Sequence, residues 1–125
     1  MTNARVISSN LTIAQTLGGF LADPSVEIPG ESLTHAKMLI ASTFASAACG
    51  VHIPSAQLIR SLECQRGGRP EASIWFHDET LPLASAGRVN AMMSDAAASD
   101  DSDLRNIVHV GTPLTAAGMA AAETI

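Results

Sequence analysis

Glycine and proline punctuation constrains this chain more than any other feature. Gly50 with Pro54, the run Gly67-Gly68-Arg69-Pro70, and Gly111-Thr112-Pro113 cut it into apolar stretches of helical length. Proline lacks the amide that a helix interior needs but suits a first turn, so each break ends one segment and opens the next. Inside the segments, apolar residues recur at three- and four-residue intervals, as on a helix with one buried face. The chain is therefore expected to be mainly α-helical, a helical-bundle portion with one short strand or hairpin near residues 72–80.

In order, the spacing predicts a helix over residues 11–22, with Ser8, Ser9 and Asn10 as candidate caps and Leu11, Ala14, Leu17 and Leu21 as its core face. Pro29 opens a longer second helix to about residue 48, striped by Leu33, Ala36, Ile40, Phe44 and Ala47, stopped by Gly50, and expected to be central. A third helix starts at His52-Ile53-Pro54-Ser55 and runs to Arg66, carrying Ala56, Leu58, Ile59, Leu62 and Glu63. Residues 72–76 read as a strand with Trp75 as a core anchor, followed by a turn over 77–80. A helix from Pro82 to about residue 93 follows, with Asn90 and Asp95 near its end. The last helix, 114–125, takes Thr112 as cap and Pro113 as first residue. It meets no terminator before Ile125, so the 125 residues are expected to be the N-terminal part of a single all-helical domain, incomplete without a downstream segment or partner chain.

Composition points the same way. Hydrophobic residues make up 46% and charged residues 15%, against about 25% charged in an average globular protein. That is too little charge to cover a lone domain, so part of the surface is expected to meet another chain or segment. The net charge is −5 and the seven Lys and Arg are scattered singly, which excludes the basic stripe a nucleic-acid binder needs. The longest mostly apolar stretch, residues 38–51, is too short to span a bilayer, so no membrane partner is expected. The N-terminus lacks a signal-peptide pattern, and Cys49 and Cys64 have no ligand or redox spacing. They read as free, buried thiols of a cytoplasmic protein.

Chemistry concentrates in residues 96–111. Asp100, Asp101 and Asp103, with Asp95 just before, supply acceptors, Ser102 a hydroxyl, and His109 a side chain that exchanges protons near neutral pH. The same residue types also make an ordinary solvated loop and helix cap. A calcium loop does not fit, because no glycine stands at its sixth position and no glutamate at its twelfth. The glycine pair at 67–68 lacks the flanking pattern of a phosphate cradle. His35 and His52 stand alone and read as ordinary satisfied histidines.

The order of these features, and above all Leu-Pro-Leu-Ala-Ser-Ala-Gly-Arg-Val-Asn-Ala followed by an Asp-Asp-Ser loop and a histidine before Gly-Thr-Pro, resembles the start of the MmgE/PrpD family. That family includes 2-methylcitrate dehydratase, cis-aconitate decarboxylase and iminodisuccinate epimerase. The resemblance covers residues 12–125 and is most specific over 81–111. The family loop runs approximately Asp-Phe-Asp-Asp-Thr, then His-Pro and a small residue. Here Ala98-Ser99-Asp100-Asp101-Ser102 and His109-Val110-Gly111 occupy those places, with Ala98 for the leading aspartate and Val110 for the proline.

The resemblance implies a helical domain completed by segments far downstream, a mixed α/β lid, and an active site in the cleft between them. It implies a lyase or isomerase, whether dehydratase, decarboxylase or epimerase, acting on a small carboxylated substrate by acid/base chemistry, commonly as a homo-oligomer. No metal and no cofactor is called for. His109 is the expected acid/base, an aspartate of the Asp100-Asp101 pair fixes its tautomer, and Ser102 and Arg105 are expected substrate-binding residues. On this reading the chain acts only as part of the complete enzyme. The alternative is a non-catalytic helical subunit or interaction module built on the same fold.

Overall fold

The computed structural model describes residues 11–125, and the candidate caps Ser8, Ser9 and Asn10 lie outside them. The elements are α1 (Ile13–Leu21), α2 (Gly30–Gly50), α3 (Pro54–Arg66), β1 (Ala72–Ser73), β2 (Thr80–Leu81), α4 (Leu83–Ala96) and α5 (Gly111–Ala122). The fold is mainly α with one short hairpin. The chain divides into two units, one ending at Leu33 and one running from Thr34 to Ile125.

In the first unit, α1 is capped by Thr12 through a reciprocal pair. The Gln15 amide N–H donates to Thr12 Oγ1 at 3.2 Å, and the Thr12 N–H donates to Gln15 Oε1 at 2.9 Å. The expected core face is not buried: Leu11, Leu17 and Leu21 are all exposed, and α1 buries no residue. Its periodicity marks an apolar face without identifying a partner for it. Asp23 then closes a turn, accepting from the Ser25 hydroxyl and amide, which hold its carboxyl below the usual range.

In the second unit the hub is α4, packed against α3, α5 and the hairpin, rather than α2. Helix α2 joins through its C-terminal half, with Thr43, Ser46, Ala47 and Gly50 buried. Of the expected stripe only Ala47 is buried and Phe44 partly so, whereas Leu33, Ala36 and Ile40 are exposed. The buried face is the one made of small residues, because small side chains let two backbones come together. Gly50 is the closest point: a Cβ there would overlap the backbone carbonyl of Met93. This close approach, rather than a left-handed cap, explains the glycine where α2 ends and the chain turns by 93° into α3.

Helix α3 begins as expected, with Pro54 in its first turn. Its buried residues are Ala56 and Glu63, while Leu58 and Leu62 are exposed. Glu63, 1% exposed, accepts from Ser85 at 2.8 Å, Arg66 at 2.8 Å and Arg88 at 2.5 Å. Such a group is tolerated inside a protein only when paired and hydrogen-bonded. The Ser85 hydrogen bond, then Arg88 and Arg66, outweigh desolvation and hold its carboxyl below the usual range.

The expected five-residue strand is shorter. Ala72 pairs with Leu81 and Ser73 with Thr80, antiparallel, and Ile74 to Phe76 already belong to the turn. Trp75 is a core anchor, 6% exposed, its ring centroid 4.2 Å from that of Phe44. The hairpin is held by Asn90, in the middle of α4 rather than near its end. Its Oδ1 accepts from the Trp75 amide at 2.9 Å and its Nδ2 donates to the Ser73 carbonyl at 3.0 Å. Glu123 ties β1 to the end of α5 by accepting from the Ser73 amide and hydroxyl.

Helix α4 runs one turn further than expected, to Ala96, and α5 begins at Gly111 and closes at Ala122 with Glu123 as its C-cap. Cys64 is partly buried, but Cys49 is exposed, contrary to expectation. Among the described residues no single helix is long and apolar enough to cross a membrane.

The Glu63 cluster sets a pH dependence. Folding favours its ionised form, so its stabilisation is complete above the ordinary carboxylate pKa and is lost as pH falls through the lowered folded value. Glu63→Gln is expected to lower the urea midpoint at pH 7 and to flatten the acid limb of a stability-versus-pH curve; an acid limb as steep as wild type would refute this. Gly50→Ala is expected to cost about 2–3 kcal/mol, since the two helices must separate, measured by the same urea titration.

Candidate functional site

The segment between α4 and α5 is built by its aspartates. Asp103 folds the tip: it accepts from the Arg105 amide at 2.9 Å and from Asn106 Nδ2 at 2.7 Å, and its own amide donates to the Val108 carbonyl at 2.9 Å. The Arg105 amide, then the Asn106 side chain, hold the Asp103 carboxyl below its usual range. Asp103 is therefore a loop former. Ile107 stands at φ 54°, a conformation costly for a β-branched residue, with its side chain exposed.

Asp101 anchors the loop to α5. Both its carboxylate oxygens accept from the Gly111 amide, at 2.9 and 3.0 Å. An anion at this end of a helix meets unpaired N–H groups and the positive end of the helix dipole. A Cβ on Gly111 would overlap this carboxylate, which accounts for the glycine. Asp101 thus does the capping assigned to Thr112. No side chain adjacent in sequence caps α5, and Thr112 is buried one residue inside the helix.

Thr112 serves Asp100 instead. Its hydroxyl donates to Asp100 Oδ2 at 2.9 Å. The Ser94 hydroxyl lies 3.1 Å from Thr112 Oγ1, and because the Thr112 proton goes to the carboxylate, Ser94 is the donor of that pair. On the other side of α4, Ser46 hydrogen-bonds the Ser94 carbonyl and Ser99, both within 3 Å, so α2 braces the same turn of α4.

His109 closes the arrangement. Its Nδ1 is 2.8 Å from the Asp101 carbonyl oxygen and 3.3 Å from Asp100 Oδ2. A carbonyl only accepts, so Nδ1 carries a proton, and in the neutral ring the lone pair sits on Nε2. The Asp100 side chain is 3% exposed and that of His109 50% exposed. A buried anion thus stands behind a half-open imidazole, an arrangement able to hold one tautomer and to balance a proton taken up at Nε2.

His109 also lines a cleft of about 300 Å³ with Thr112 and Pro113 from α5 and Arg88, Met92 and Asp95 from α4. The structure therefore brings together Asp100, Asp101 and His109. Ser102 and Arg105 are exposed; among the described residues the Ser102 side chain has no hydrogen-bond partner and Arg105 is engaged only through its backbone amide. Sequence reasoning did not find Thr112 as an Asp100 partner, nor Arg88 as a wall of the cleft. The spacing of Arg88, Met92 and Asp95 along α4 was the available signal. Among the described residues no cluster of three or more His, Cys, Asp or Glu side chains is arranged to hold a metal ion.

Asp101→Ala is expected to destabilise the protein by about 1–2 kcal/mol, as for loss of a helix cap. Amide exchange should accelerate most in the first turn of α5. Unchanged protection there would refute the capping role.

The family model described as the MmgE/PrpD N-terminal domain matches residues 15–125. No curated protein and no solved structure matches the sequence. The family match runs from within α1 through α5 and takes in the whole Asp100–His109 segment. Its helical core, hairpin and aspartate-histidine loop are those of a chain that belongs to the MmgE/PrpD family.

Proposed function

We propose that this domain is part of an MmgE/PrpD-type lyase or isomerase that moves a proton at the carbon beside a carboxylate of a small substrate. The supporting observation is His109, held through Nδ1 by the Asp101 carbonyl and the buried Asp100 carboxylate, with Nε2 left for proton exchange at a cleft. Dehydration, decarboxylation and epimerisation share that requirement: a base or acid beside a carboxylate, and stabilisation of the negative charge that develops. None of them changes the substrate's oxidation state through the protein, so the reading calls for no redox cofactor.

In this reading His109 is the acid/base. Asp100 and Asp101 position it, and Asp100 balances the imidazolium formed when Nε2 takes a proton. Ser102 and Arg105, exposed on the loop, contact substrate once a downstream segment or partner chain covers them. The complete enzyme is a cytoplasmic homo-oligomer. A second reading, a non-catalytic interaction module, draws support from a separate apolar concavity of about 260 Å³ between α2 and α5, walled by Leu39, Ile40, Leu114 and Met119.

The test is turnover of a panel of small hydroxy-, keto- and unsaturated di- and tricarboxylic acids by the protein isolated with any polypeptide that accompanies it. His109→Gln is expected to lose about 10²–10⁴-fold in kcat with an unchanged circular dichroism spectrum. A His109→Gln protein at the wild-type rate would overturn the assignment. No turnover of any of these acids by the wild type would favour the interaction module.

A further inference from the structure

We propose that Arg88 is the residue that receives a carboxylate of the ligand in the His109 cleft. The inference rests on the acid/base reading above and adds to it a cation inside the cleft itself, which Arg105 does not line. Among the described residues Arg88 is the only lysine or arginine lining the cleft, and it shares that wall with Met92 and Asp95, opposite His109, Thr112 and Pro113. The apolar side chains of Ala91, Met92 and Pro113 lower the local polarity, which strengthens a charge-assisted hydrogen bond.

The charge on Arg88 is not used up within the protein. One carboxylate, Glu63, stands between two guanidinium groups, Arg66 at 2.8 Å and Arg88 at 2.5 Å, so the cluster keeps one positive charge in excess. Glu63 engages Nη1 of Arg88 alone. The remaining N–H donors of a guanidinium form a fork that matches a carboxylate, and the Arg88 side chain is 54% exposed. Glu63 thus restrains the group without occupying it.

The other charges of the cleft orient the ligand. Asp101 is satisfied by the Gly111 amide and Asp100 by Thr112 and His109, so neither presents a free anion. Among the described residues the Asp95 side chain has no hydrogen-bond or ion-pair partner, and it lines the same cleft seven residues beyond Arg88, about 10 Å along the helix. A carboxylate is attracted at the Arg88 end and repelled at the Asp95 end. The ligand therefore lies along α4 with its carboxylate at Arg88 and the neighbouring carbon within the span that His109 faces.

Succinate is the probe, titrated into the full chain and followed by NMR at the His109 ring and the cleft amides. Wild type is expected to give saturable shifts confined to the cleft. Arg88→Gln should raise the Kd about tenfold or more, and Asp95→Asn should lower it several-fold by removing a like charge. Absence of saturable shifts in wild type, or an unchanged Kd in Arg88→Gln, would overturn the proposal. If Arg88→Gln fails to fold through loss of its Glu63 contact, Asp95→Asn decides: this exposed, unpaired site tolerates substitution, and an unchanged Kd there overturns the proposal equally. Succinate binding through Arg88 without turnover of any carboxylic acid would remove the acid/base reading and leave this site standing. His109-dependent turnover with binding indifferent to Arg88 would do the reverse.

Discussion

Buried polar groups without water must find partners inside the protein, and helix α4 is where this requirement organises the structure. Asn90 and Ser94 are fully buried on it. Asn90 uses its amide to fix the backbone of the hairpin. Ser94 uses its hydroxyl to reach Thr112 on α5 and its carbonyl to reach Ser46 on α2. Ser85 and Arg88, on the same helix, satisfy Glu63 of α3. Each neighbour of α4 is thus located by a polar contact as well as by packing. That suits a core whose apolar members are largely alanines and can interdigitate only a little.

The same logic separates two adjacent aspartates that are chemically identical. Asp101 turns its side chain to the start of α5 and leaves its backbone carbonyl to hold His109. Asp100 turns inward to Thr112 and stands behind the ring. One fixes the helix on which the cleft is built, and the other fixes the electrostatics of the imidazole. The histidine is therefore placed by a main-chain atom and a buried charge, neither of which depends on the exposed tip of the loop, where Asp103 and the strained Ile107 lie.

Much of this was legible in the sequence, and what was not has a physical reason. Pro54 and Gly111 locate helix starts and the Gly-Gly-Arg-Pro break locates the end of α3, because backbone constraints act locally. The apolar stripes of α1 and of the first half of α2 read as core but are exposed, while the small polar residues Thr43 and Ser46 are buried. Periodicity reveals that a helix has two faces but not which face meets a neighbour. Thr112-Pro113 has the form of a local cap, yet the cap is Asp101, ten residues away in sequence. Asp100, Asp101 and His109 could be grouped because they are close along the chain. The spacing of Arg88, Met92 and Asp95 puts them on one face of α4, but that this face meets α5 and His109 is not encoded in it.

The stacking of Trp75 on Phe44 has a practical consequence. The chain contains one tryptophan and no tyrosine, so its near-ultraviolet fluorescence comes essentially from a single indole. That indole is buried in the turn of the hairpin, against the half of α2 that packs on α4. Its emission wavelength and quenching by iodide therefore report on one known joint of the molecule, where hairpin and α2 meet. Departure of α2 from the core becomes visible as a red shift in the unlabelled protein, separately from any loss of helix.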